Sequence, residues 1–194
     1  MKGKVMTVLG PIDPRELGVT LTHEHLFFDL RCWWTEPQEA TKKALAHDPL
    51  SMSNLGALRR DPLINLDNLA QFDMEVALEE ATAFKRGGGK SIVDVTNIGI
   101  GRDPAALRSI AHETGLNIIM GCGYYVEASH PHDVAHKSVE QIADLMIQEV
   151  TAGVKRTDIR AGIIGEIGTS SPITPEEVKV LRAAALAVRC TGAP

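Results

Sequence analysis

The chain has 194 residues, 44% of them hydrophobic and 23% charged, with a net charge of −5. That length supports one domain with a sizeable core. The acidic balance gives no sign of an electrostatic grip on nucleic acid or an anionic membrane, and the most apolar later stretch, AAALAV at 183–188, is far too short to cross a bilayer.

The N-terminus, MKGKVMTVLGP, lacks the sustained apolar core of a signal peptide, so a cytoplasmic location is expected. Residues 4–16, KVMTVLGPIDPRE, read as a small β-hairpin turned at Gly10-Pro11, with residues 1–17 assigned to it. GVTLTHEH (18–25) reads as the first strand of the main domain. Residues 27–72 then form a long connection carrying Trp33, Trp34, Pro37, Pro49 and Pro62. A connection of that length is functional or disordered, and the tryptophans favour an ordered flap.

From residue 74 the pattern alternates. MEVALEEATAFKRGGG (74–89) spaces its apolar residues as an amphipathic helix and stops at the glycine run. SIVDVT (91–96) is a β-branched strand. Asp103-Pro104 supplies an N-cap and a first-turn proline for AALRSIAHETG, which Gly115 closes. LNIIMGCG (116–123) is the next strand, and Ser138 with Gln141 forms a capping box opening VEQIADLMIQEVTAG. AGIIGEIG (161–168) is the fourth strand. Thr174, Pro175 and Glu177 cap the helix that runs to Cys190.

Four β-then-α units with wholly apolar strands predict an α/β fold with a parallel sheet covered on both faces. No GxGxxG or P-loop stands at the first βα turn, which weakens a nucleotide-binding reading. A (β/α)8 TIM barrel needs eight units and roughly 250 residues. The chain therefore reads as a single incomplete barrel domain over 1–194, holding about the first four βα units. The closing Thr191-Gly192-Ala193-Pro194 is a C-cap and breaker of the kind that precedes a strand. Four unclosed units would leave open sheet edges, which favours a homo-oligomer or a partner.

His23 and His25 stand at i and i+2 of the first strand and so face one side. Together they can reach one zinc-like divalent ion, from the strand end where barrel active sites lie. Such a pair is weak by itself. Glu166, in IIGEIG, ends an apolar strand and has to be paired or bound. It is either ion-paired with an arginine such as Arg102 or part of a metal site shared with the histidines. The common barrel face favours the second.

Other positions carry two readings each. His130, His132 and His136 in HPHDVAH form a second metal site or, more simply, a solvated loop. Of Tyr124 and Tyr125, one reaches substrate or both only pack. Arg102 binds an anionic group or joins a structural ion pair, and Trp33 on the flap is a candidate substrate wall. Cys32, Cys122 and Cys190 are odd in number and widely spaced, so free thiols in or near the core, in a reducing compartment, are expected.

Three blocks carry a family resemblance: TVLGPIDPRELGVTLTHEHL, GRDPAALRSIAHETGLNIIMGCGYYV and GIIGEIG. In that order they resemble the phosphotriesterase family of the amidohydrolase superfamily, nearest its phosphotriesterase-related branch. The resemblance implies two divalent metal ions, zinc by type, with His23 and His25 as ligands of the more buried one. Glu166 would bridge the two metals where better-known members carry a carboxylated lysine. It also implies two histidines on strands five and six, and a proton-shuttling aspartate on strand eight. These have no counterpart in this sequence, so no catalytic residue is assigned and the 194 residues alone are expected to be inactive.

The implied chemistry is a metal-activated hydroxide attacking an ester, lactone or amide of a small-molecule substrate, with no nucleic-acid or membrane partner. A TatD-type metal-dependent deoxyribonuclease also pairs an HxH with a GEIG glutamate. It usually continues with Leu-Asp where this chain has Thr169-Ser170, and it lacks so long a first connection. A non-catalytic metal-binding half-barrel needing a partner is the other alternative.

Overall fold

Secondary structure follows the caps and apolar periods closely, with the departures at the hairpin, the flap and the fourth strand. The computed structural model describes residues 3–194; residues 1 and 2, which the hairpin assignment includes, lie outside the described residues.

Strands β1 (Val5–Thr7) and β2 (Gly10–Ile12) pair antiparallel, with Thr7 opposite Gly10. The turn is therefore Val8-Leu9, not Gly10-Pro11. Thr7 Oγ1 donates to the Gly10 carbonyl at 2.8 Å and accepts the Leu9 amide at 3.2 Å, which closes the two-residue loop. Pro11 sits instead in β2, an edge strand that tolerates a missing donor. The Val8 amide bonds the Ile118 carbonyl at 2.9 Å, so the hairpin docks near the N-terminal end of the sheet.

Next come β3 (Thr20–Glu24), β4 (Phe28–Asp29), α1 (Ala40–His47), α2 (Leu55–Leu58) and β5 (Ala70–Gln71). The 27–72 connection is thus an ordered flap, closed at its base by β4 against β5 with Phe28 opposite Gln71. Trp34 Nε1 donates to the Ile64 carbonyl at 3.1 Å, and buried Asn65 donates to the Leu45 and Asp48 carbonyls. The two flap helices give no pattern to read. In α1 only Ala46 is buried and no side chain caps the N-terminus, so the apolar stripe that betrays a helix is missing.

The remaining elements are α3 (Met74–Arg86), β6 (Ser91–Asp94), α4 (Pro104–Thr114), β7 (Asn117–Cys122), α5 (Val139–Thr151), β8 (Ile163–Ile164) and α6 (Pro175–Thr191). Asp73 and Asp103 cap α3 and α4, while Ser138/Gln141 and Thr174/Glu177 form capping boxes on α5 and α6. Gly115 and Gly192 end α4 and α6 in the left-handed conformation that glycine adopts without strain.

The strands order as β3-β6-β7-β8, all parallel, and curl as half of a barrel. Ile92, Ile118 and Met120 of the sheet share a core with Leu107, Ile110, Ile142, Met146 and Val180 of the helices. Each such side chain contributes about 1.5–3 kcal/mol when fully buried. The fourth strand is much shorter than 161–168, and Glu166 lies two residues past its end. The chain there passes so close to β7 that a Cβ at Gly121 would strike the Gly165 carbonyl. Gly121 is therefore what lets the Glu166 segment reach the sheet.

Candidate metal centre

All parallel strands end on one face, and that face gathers the polar groups. His23 lies in β3 and His25 one residue beyond it, while Glu166 follows β8. His23 Nε2 stands 3.1 Å from Glu166 Oε2, and His25 Nε2 stands 3.5 Å from Oε1. The imidazoles are edge-to-face, their centroids 5.5 Å apart. One donor atom from each of the three residues lies within 4.8 Å of the others, and among the described residues this is the group with such convergence.

The spacing suits a metal ion. Ligands held at about 2.0–2.1 Å around a tetrahedral zinc stand about 3.3–3.4 Å apart, and the two measured separations bracket that value. The donor set, two imidazoles and a carboxylate, is also one that zinc accepts. Burial, with His23 beside it, lowers the pKa of His25 to about 4. Its ring is therefore uncharged at neutral pH, the form that binds metal. Burial raises the pKa of Glu166, and the neighbouring His23 opposes that shift.

The end of β6 holds these groups without contributing a donor of its own. Asp94 accepts the Leu26 amide at 2.8 Å, just past His25. Burial pushes its pKa up to about 6 against the Leu26 and Thr96 bonds. Thr96 Oγ1 lies 2.9 Å from His25 Nδ1 and 3.1 Å from the Phe27 carbonyl. Asn97 donates to the Glu166 carbonyl at 2.8 Å, and the Glu166 amide bonds the Val95 carbonyl. Asp94, Thr96 and Asn97 were missed by the sequence reading. Their signal is three buried polar residues crowded at the end of an apolar strand.

Arg102 does not meet Glu166. Its guanidinium grips Glu149 of α5 in two bonds of 2.7 and 2.8 Å and donates to the Gly121 carbonyl at 2.9 Å. With 2% side-chain exposure it has no face left for an anionic substrate. Of the readings of Arg102, the structural ion pair is the one the fold contains, with Glu149 as the partner in place of Glu166.

The two tyrosines diverge. Tyr124 is buried, its pKa pushed up to about 12 by that burial, and packs edge-on against His130 at 5.9 Å. It lines a cavity with Asp133 and Glu149. Tyr125 instead meets the Trp33 indole edge-on at 6.1 Å and lies near Glu166 and Cys32. Trp33 and Cys32 also line a cavity of about 520 Å³ with Val126, Ser170 and Glu177.

His130, His132 and His136 form no metal-ligating group among the described residues, and His130 Nε2 bonds the Tyr125 carbonyl at 3.0 Å. All three cysteines are free; Cys122 is buried, whereas Cys190 is exposed instead of lying near the core.

The profile described as Phosphotriesterase family matches residues 3–194. The N-acetyltaurine hydrolase of Tetraodon nigroviridis is 44% identical over all of this chain and 56% of its own length. A resiniferatoxin-binding protein from Rhodobacter sphaeroides has 49% identity and a TM-score of 0.96, over 99% of this chain and 54% of that one. The phosphotriesterase homology protein from Escherichia coli, solved with phosphate in its active site, has 32% identity and a TM-score of 0.70, over 92% of this chain and 52% of its own. The chain thus spans about half the length of the proteins it matches.

Proposed function

From the premise that the chain belongs to the phosphotriesterase family, we propose that it forms the first part of a metal-dependent hydrolase barrel acting on a small amide or ester. The observation that carries this is the convergence of His23, His25 and Glu166 from opposite edges of the sheet, at zinc-like spacing. Two ions, zinc by donor type, are the proposed complement, with the two oxygens of Glu166 available to both. When bound, a divalent metal lowers the pKa of a water and polarises a carbonyl or phosphoryl oxygen.

The chain's own residues have separate tasks. His23, His25 and Glu166 would serve as metal ligands, and Asp94, Thr96 and Asn97 hold those ligands in place. Tyr125 and Trp33 form an aromatic wall that orients substrate and keeps bulk water off it. An amide substrate is favoured by the likeness to a protein named for hydrolysing an N-acetylated compound. The phosphotriesterase match over residues 3–194 argues against the TatD-type nuclease reading.

The test uses the full-length protein. Wild type loaded with zinc is expected to hydrolyse N-acylated small amines, and His23→Ala and Glu166→Gln to lose both metal and turnover while keeping the fold. Equal metal content in wild type and variants, by elemental analysis, would remove the ligand assignment. Metal binding without hydrolysis of any ester, lactone or amide would favour the non-catalytic alternative.

A further inference from the structure

We propose that Thr96 is a positioning residue that selects Nε2 of His25 as the metal-binding nitrogen. The inference rests on the metal-centre reading above, and deepens it. Thr96 is buried, and its hydroxyl stands between two groups, His25 Nδ1 at 2.9 Å and the Phe27 carbonyl at 3.1 Å. A hydroxyl has one proton to give, and a backbone carbonyl can only accept. The proton therefore goes to Phe27, and an oxygen lone pair faces the imidazole. His25 must answer with an N–H at Nδ1, whatever charge the ring carries.

In the neutral ring this leaves the lone pair on Nε2, the atom that points towards Glu166. The Nε2 to Oε1 separation of 3.5 Å is too long for a good hydrogen bond, so Glu166 competes poorly for a proton at Nε2. The opposite arrangement would set an oxygen lone pair against the buried Phe27 carbonyl. Because Phe27 is two residues from His25, one hydroxyl ties the ring to the backbone of its own turn. The ring plane is fixed together with the tautomer.

The test compares Thr96→Val, which keeps the shape and removes the hydroxyl, with Thr96→Ser, which restores it, in the full-length protein. Zinc affinity is measured against a competing chelator, and ligand geometry by the visible spectrum of the cobalt(II)-loaded form. Thr96→Val is expected to bind zinc about 10–100-fold more weakly with an altered cobalt spectrum, and Thr96→Ser to return close to wild type. Wild-type affinity and spectrum in Thr96→Val would overturn the proposal. Should that variant not fold, nitrogen-15 NMR of metal-free wild type at about pH 8, where free histidine is neutral, decides the matter. An Nδ1–H tautomer at His25 is expected, and an Nε2–H tautomer would overturn the assignment. If wild type binds no metal, the metal reading fails, while the tautomer still tests Thr96.

Discussion

Replacing Arg102 with Met keeps the length of the side chain and removes its charge and five donors. Three hydrogen bonds disappear, two to Glu149 and one to the Gly121 carbonyl. Glu149 is left as a carboxylate with 12% side-chain exposure and no opposite charge bonded to it. Breaking a buried pair in this way costs about 3–5 kcal/mol, a large share of the roughly 5–15 kcal/mol that holds a domain folded. Removing both charges, as Arg102→Met with Glu149→Leu, takes away the stranded carboxylate and is expected to restore most of that loss. Urea unfolding of wild type, both single variants and the double variant closes the cycle. A cost below about 1 kcal/mol for Arg102→Met, or a double variant no better than the single ones, would refute the assignment of Arg102 as a buried structural cation.

Three further outcomes follow from the titrating groups. Because burial and His23 lower His25 to about 4, protons should compete for its ring only near that pH. In the metal-free protein the His25 ring should stay uncharged at pH 6 and gain its proton as the pH falls towards about 4; a midpoint above about pH 6.5, the free-histidine value, in an NMR titration would contradict this. Burial raises the pKa of Glu177, but bonds from the Ser170, Thr174 and Glu127 amides bring it down to about 2. A lowered carboxylate contributes stability above its unfolded value of 4.5 that is lost as the pH falls through about 2. The stability gap between wild type and Glu177→Gln, followed by acid unfolding, should therefore narrow over that window; a constant gap would count against it. Thiol titration should find three reactive cysteines in denaturant but a fast-reacting Cys190 and a silent Cys122 in the folded protein. Cys122 is buried, and that burial pushes its pKa up to about 12.

What was legible in the sequence is what neighbours along the chain decide. The capping boxes at Ser138 and Thr174, the proline at the start of α4 and the glycine at its end all depend on groups three or four residues apart. The shared direction of His23 and His25 needs only the two-residue period of a strand. The family blocks added that Glu166 belongs with them. The turn of the hairpin misled, because Gly10-Pro11 has turn composition while the Thr7 hydroxyl closes the loop two residues earlier. The flap helices gave no stripe to read.

Partner choice was settled only in three dimensions. From sequence, Glu166 was free to pair with Arg102; the fold commits Arg102 to Glu149 across α5 and leaves Glu166 to the histidines. Tyr124 and Tyr125 are adjacent, yet one packs into the core beside His130 and the other meets Trp33 near Glu166. Thr96 and Asn97 look like ordinary strand-end polar residues until β3 and the segment after β8 close on them. The sequence by itself determined the order of the main βα elements outside the flap, since propensities, caps and periods act over a single turn or pleat. The tertiary structure decided which buried polar groups satisfy one another, because each has several chemically acceptable partners and only packing of the sheet brings one within hydrogen-bond reach.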